Sequence, residues 1–125
     1  MLPGPRRIRR SADYRAVMRS GSRTASRTVV VHASTTSSTA PARAGFVVGR
    51  SVGPAVTRNR VARRLRHLMA AHLTQLPAGT DVIVRALPAA AGASSGQLGR
   101  DLATSLRRVV SRLGQAPGSE QVVSP

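Results

Sequence analysis

A chain of 125 residues holds one domain of ordinary size and not two. Apolar residues make up 41%, mostly Ala, Val and Leu, with Tyr14 and Phe46 the only aromatics; the absence of cysteine excludes a disulfide framework and a thiolate metal site. Twenty basic residues, all arginine, stand against four acids for a formal charge of +16, which points to a polyanionic partner, nucleic acid before an anionic membrane surface.

The opening MLPGPRRIRRSADYR has no apolar stretch after its basic residues, so it is not a secretory signal, and no run reaches the roughly 20 apolar residues of a membrane span. The expected location is the cytoplasm. Residues 1–10 are expected to be a basic, extended N-terminus. Ser11 can cap a short helix, SADYRAVMRSG, with Asp13 in its first turn and Gly21 ending it. Tyr14, Val17 and Met18 share one side of it.

SRTVVVHAS (26–34) is a β-branched run that predicts a strand. Alternation places Val29, Val31 and Ala33 on one face and Val30, His32 and Ser34 on the other. A polar loop, TTSSTAPA (35–42), is expected to be mobile, and RAGFVVGR (43–50) predicts a second strand. In that strand Ala44, Phe46 and Val48 face one way; Gly45, Val47 and Gly49 leave the other side shallow. Gly53 and Pro54 suit a helix entry, with Pro54 as the first helical residue and the helix running to about Leu73. TDVIVRAL (80–87) predicts a third strand, and Ser94 with Gln97 forms a capping-box pattern ahead of a stripe of Leu98, Leu102, Leu106, Val109 and Leu113. The single α/β domain is expected to span 11–114 and a disordered tail 115–125. The element order implies helices packed on a mainly antiparallel or mixed sheet.

TRNRVARRLRHLM (57–69) carries five arginines and no acid. On a helical wheel Val61, Leu65, Leu68 and His72 form the apolar stripe, with Met69 at its edge. Arg60, Arg64 and His67 cluster on one flank, and Asn59, Arg63 and Arg66 continue around the outside. An ordinary solvated face alternates sign and gains pairs four residues apart; this one has no acid to pair with. A DNA recognition helix lacks the preceding helix and tight turn.

Catalytic constellations fail. Asp13, Asp81, Asp101 and Glu120 are scattered, without a paired-carboxylate spacing. His67 and His72 are five residues apart and diverge on a helix, so they make no metal pair. GFVVGRS is one residue short of a phosphate-binding loop and has Arg50 where lysine belongs.

The stretch GFVVGRSVGPAVTRNRVARRLRHLM resembles the signature of the bacterial ribonuclease P protein component: a Gly-rich strand, a V-G-x-A-V turn, then an R-N-R-x-x-R-x-x-R helix. RRSADYRAVMRSGSR resembles the family's R-x-x-D-F-x-x-V-x-x-G segment, and TDVIVRALPAA with the basic terminal helix fits its last strand and helix. The resemblance covers roughly residues 6–113. It implies an α/β two-layer sandwich resembling the second domain of ribosomal protein S5. That fold has a four-stranded mixed sheet, about three helices, a further short strand near Arg23–Ser26 and a left-handed βαβ crossover, against the usual hand.

The family's activity belongs to a catalytic RNA that, with Mg²⁺ held mainly by the RNA, removes the 5′ leader of precursor tRNA. The protein is its non-catalytic subunit, expected to be monomeric within the complex. By resemblance Arg58, Asn59, Arg60, Arg63 and Arg66, joined by Arg64 and His67 on the wheel, face the catalytic RNA. A leader-binding cleft would take in Tyr14, Met18, His32, Val47, Gly49 and Arg50. Met18 stands where a second aromatic is common, and Ser51 and Ala62 where basic residues are usual. A structural RNA-binding protein of ribosomal type, with no part in a reaction, is the alternative; a DNA-binding module is the third.

Overall fold

The valine-rich runs and the two long amphipathic stretches become, in a computed structural model that describes residues 6–114, one four-stranded sheet and three helices. The expected tail at 115–125 lies outside the described residues. In chain order the elements are α1 (Ser11–Ser20), β1 (Ser22–Ala25), β2 (Val29–Thr35), β3 (Arg43–Val47), α2 (Ala55–Leu73), β4 (Thr80–Ala86) and α3 (Ser95–Gly114). Short 3₁₀ turns at Arg50–Val52 and Pro88–Gly92 precede α2 and α3. The strand order is β1-β2-β4-β3, with β1–β2 and β2–β4 antiparallel and β3–β4 parallel. The sheet is therefore mixed, and β3–α2–β4 is its one crossover between adjacent parallel strands. The short strand expected near Arg23 is β1, beginning at Ser22.

Alternation along the strands separates two faces. Val29, Val31, Ala33, Ala44, Val82 and Val84 point to one side. There they meet Val61, Leu65, Met69 and Leu73 of α2 and Leu98, Leu102, Leu106 and Val109 of α3. Burying a side chain of this size stabilises by about 1.5–3 kcal/mol before entropy is counted, so this layer dominates the stability. The apolar stripe of α2 is centred one position away from the wheel's choice: Met69 is fully buried, while Leu68 and His72 are half-buried flanks. Asp101 accepts from both the Thr28 backbone N–H (3.2 Å) and the Thr28 hydroxyl (2.6 Å), tying α3 to the β1–β2 turn.

Several local expectations shift by a residue or more. Ser11 is the first residue of α1 and makes no cap; Arg10 occupies the cap position without a side-chain bond. Pro54 caps α2 from outside, and its carbonyl accepts from Arg58 N–H at 2.9 Å. Ser94 does cap α3, accepting from Gln97 N–H at 3.1 Å. β3 ends at Val47, because the chain then turns into the 3₁₀ segment, leaving Gly49 and Arg50 outside the strand. The polar loop 36–42 is stitched to the start of β4: Gly79 N–H donates to Ala40 O (2.9 Å) and Thr36 N–H to Gly79 O (2.9 Å). Gly79 has φ +83° and leaves a Cβ no room beside the Thr36 and Ser38 carbonyls, so only glycine suits this junction. Arg7 and Ile8, within the segment expected to be extended, lie parallel to β3; Ile8 N–H donates to Ala44 O at 2.9 Å, and its side chain is buried.

Candidate nucleic-acid interface

The arginines of α2 are not equivalent. Arg60 Nη2 donates to Ala91 O at 2.8 Å and Arg64 Nη1 to Ala93 O at 3.3 Å, so both reach sideways to the turn that precedes α3. Arg58 turns back toward its own helix start, where Nε donates to Gly53 O at 3.1 Å. Asn59, Arg63 and His67 are exposed and Arg66 is half-buried on the outer surface. The seven residues expected to act together thus divide into a bracket (Arg58, Arg60, Arg64) and an open face (Asn59, Arg63, Arg66, His67). Val56 joins the open side, being 78% exposed and seven residues before Arg63. Sequence reasoning passed over it because a lone exposed valine is unremarkable until its neighbours are known.

Among the described residues the opposite face of the sheet is covered only by α1 and the short segment around Arg7 and Ile8. Ile8, Val17 and Ile83 form a small second core, against which Tyr14 and Val47 pack. Tyr14 lies across Gly45, where a Cβ would collide with the ring, and its hydroxyl accepts from Phe46 N–H at 3.2 Å. That N–H points outward from the edge strand, so the tyrosine closes part of the sheet edge as well as lining the surface. A groove of about 390 Å³ runs beside it, walled by Tyr14, Arg15, Met18, Arg19 and Val47. Met18 is 38% exposed there.

Of the six residues assigned to a cleft, Tyr14, Met18 and Val47 come together. Gly49 and Arg50 are exposed beyond the end of β3 and do not wall the groove. His32 is corrected more sharply: it lies on the expected face but is only 5% exposed, so its ring offers no platform for a base. Arg15 and Arg19 were missed, although they repeat the four-residue spacing of Tyr14 and Met18 one position on. Arg85 was missed for a different reason. It stands on this face in register with Val30 and Val47, which only the strand pairing reveals.

Charge is unbalanced almost everywhere. Arg43 binds Asp81 through two contacts (Nε–Oδ1 3.0 Å, Nη2–Oδ2 2.8 Å) and approaches Asp13 at 3.5 Å. It is the one arginine of twenty with an ion pair among the described residues, which leaves nineteen without a carboxylate partner. Burial, and then the charges of Arg85 and Arg23, push His32 below the ordinary histidine value, so its imidazole is held neutral. No three His, Cys, Asp or Glu side chains converge among the described residues, and the described acids are already engaged by Arg43 and Thr28. These side chains do not fit a protein-held Mg²⁺.

A small α/β domain with an unneutralised arginine helix on one side and a basic, partly apolar groove on the other is an RNA-binding protein by class. The comparisons with known proteins then specify which. The family model for ribonuclease P matches residues 2–110. The ribonuclease P protein component of Acidothermus cellulolyticus is 50% identical over 121 residues, covering 96% of this chain and 98% of the relative. That of Nocardioides sp. is 49% identical, covering 87% and 95%. A solved ribonuclease P protein of Staphylococcus aureus superposes with a TM-score of 0.75 at 28% identity, over 82% of this chain and 93% of that one. The chain belongs to the ribonuclease P protein family, the protein subunit of the ribonucleoprotein that processes the 5′ end of tRNA.

Proposed function

We propose that this chain acts in that ribonucleoprotein as a subunit without catalytic side chains, using its two basic surfaces for two RNAs. The open face of α2, with Asn59, Arg63, Arg66 and His67, docks on the catalytic RNA. The groove beside α1 takes the single-stranded 5′ leader of precursor tRNA, with Tyr14, Met18 and Val47 against bases and Arg15 and Arg19 toward phosphates. The observation that carries this division is the groove itself: an apolar floor with a guanidinium on the position following each of Tyr14 and Met18. Stacking on Tyr14 is sequence-tolerant, which suits a substrate class with varied leaders.

Mg²⁺ belongs to the RNA in this reading, because the acids among the described residues are engaged elsewhere. Bound metal would supply an activated water and stabilise the leaving oxygen, both on the RNA. The chain's own contribution is to hold substrate and RNA, and the assembly works in the cytoplasm. A solved Staphylococcus aureus relative is described as a mutant with defective mRNA degradation activity, so cleavage by the protein alone is worth testing directly.

The test is cleavage of precursor tRNA by the partner RNA at low Mg²⁺, with and without the protein, using mature tRNA as competitor. Stimulation that mature tRNA competes against only weakly is expected. The protein alone is expected to cleave neither precursor tRNA nor unstructured mRNA. Binding of RNA without stimulation would instead make this a structural RNA-binding protein.

A further inference from the structure

The helix layer carries a groove that neither proposed RNA surface uses. α2 and α3 lie side by side and run in the same direction. Arg60 and Arg64 reach the carbonyls of Ala91 and Ala93, and a Cβ on Gly99 would stand 3.4 Å from Leu68 Cδ2. Beyond Gly99 the seam opens into a groove of about 490 Å³. Leu76, Ala103, Leu106 and Val110 make its floor. His72, Gln75, Arg107 and Ser111 make its rim, all but His72 being exposed. The groove belongs to the two helices that seal the core, whereas α1 and its groove lie across the sheet.

Charge decides what such a groove can hold. Arg100 and Arg107 are both exposed and stand seven residues apart on one line of α3, about 10 Å along its axis. Neither has an ion pair among the described residues, and Asp101, the one acid of α3, is bonded to Thr28. On α2 the neighbouring basic groups are Arg64 and His67, again without an acid. A second copy of this chain would set that rim against another equally positive surface. An anionic ligand with a flat apolar part meets both the rim and the floor. Nucleotides have that chemistry, and only unpaired ones can turn a base out of its helix into a groove.

We propose that the groove between α2 and α3 is a second docking point for the catalytic RNA, taking an unpaired, unstacked nucleotide. This extends the placement of that RNA on the open face of α2 and rests on it. The base lies on Leu76, Leu106 and Val110, the phosphates on either side meet Arg100 and Arg107, and Gln75 and Ser111 offer hydrogen bonds to the base edge. The catalytic RNA is the occupant because the groove shares a helix with the open face. His72 on its rim stands nine residues beyond Arg63, about 14 Å along α2. Two anchor points on one rigid layer fix the orientation of the protein on the RNA, which a single helix end leaves free to pivot.

The chain has no cysteine, so Ser111→Cys gives the full protein one attachment point for a photo-crosslinker on the groove rim. Val56→Cys does the same beside the open face of α2. Each labelled protein is assembled with the catalytic RNA and precursor tRNA, and the crosslinked nucleotides are mapped. Crosslinks from Ser111→Cys to unpaired nucleotides of the catalytic RNA are expected, and Arg100→Gln with Arg107→Gln should abolish them. That pair, at exposed positions, should lower the salt slope of catalytic-RNA binding by about 1.4 and leave the preference for precursor over mature tRNA unchanged. Ala103→Leu, which fills the floor, should weaken binding about fivefold or more, as for one lost base contact, with the slope unaltered. Crosslinks from Val56→Cys alone overturn the groove and leave the α2 placement standing; crosslinks from neither position overturn both. Crosslinks from Ser111→Cys to precursor tRNA overturn the choice of occupant. Wild-type RNA binding by all the groove variants overturns the proposal and assigns the groove to an acidic protein partner.

Discussion

The two faces of the sheet are built from strands of similar composition and serve opposite ends. One is sealed by α2 and α3 with eighteen buried residues in a continuous core. The other has a ten-residue helix over it and a cluster of only three buried apolar residues, with Tyr14 and Val47 packed at the margin. The sealed face holds the molecule together, and its helices turn their arginines outward or onto backbone carbonyls. The thinly covered face keeps an apolar groove beside α1, in which Met18 stays partly exposed. Stability and the proposed leader binding are therefore divided between the faces, and substitutions should separate them.

The largest effect belongs to the sealed face. Leu102→Ala, at a fully buried position, should lose about 2–5 kcal/mol in denaturant unfolding. Once corrected for folded fraction, preference for precursor over mature tRNA should persist; a lost preference would mean that the faces are coupled. On α2, Arg60→Ala should lower stability by about 1.5–3 kcal/mol, toward the lower end for a half-buried group, because the Ala91 carbonyl loses a charged donor. Arg63→Ala should leave stability alone and reduce the salt slope of catalytic-RNA binding by about one. Equal behaviour of the two variants in both measurements would erase the distinction between bracket and open face.

Gly45→Ala tests the thin face directly. The added methyl meets the Tyr14 ring, so a cost of about 1–3 kcal/mol is expected, with weaker leader binding and intact association with the catalytic RNA. Tyr14→Phe should cost about 0.5–1.5 kcal/mol from the lost bond to Phe46 N–H yet keep leader affinity, since the ring remains. Tyr14→Ala should lose that affinity too; if Phe and Ala variants bind precursor equally, the ring contacts no base. The smallest effect is a pH dependence. Burial, then Arg85 and Arg23, lower the folded-state value of His32, so the unfolded chain takes up the proton first. Stability is full above about pH 6.5 and declines as pH falls toward the folded value. Unfolding midpoints at neutral and mildly acid pH, compared with those of His32→Gln, check this; a decline of the same size in the variant would assign it to other groups.

Legibility varied by kind of information. The faces of β2 and β3 followed from alternation alone, because a period of two leaves only one choice once a single residue is placed. The stripe of α2 was legible to within one position. Leu68, His72 and Met69 lie close on the wheel, and the direction of the underlying sheet decides which of them is central. The groove was legible where its residues are local, as with Tyr14 and Met18 four apart on one helix. It was illegible where they come from pairing, as with Arg85 beside Val47 across β3 and β4. Gly49 and Arg50 were placed too far along the strand because Val48 continues the β-branched pattern after the pairing has stopped.

By itself the sequence determined an acid-poor, arginine-rich composition, the faces of its elements and its kinship. Each of these depends on composition or on neighbours a few residues apart. The tertiary structure alone decided which arginines are free. Arg60 and Arg64 find carbonyls 31 and 29 residues away, and His32 is buried on a face that its own strand leaves open. A guanidinium reaches several ångströms and bonds to whatever carbonyl the fold brings within that radius, so its role is settled only when distant segments have packed.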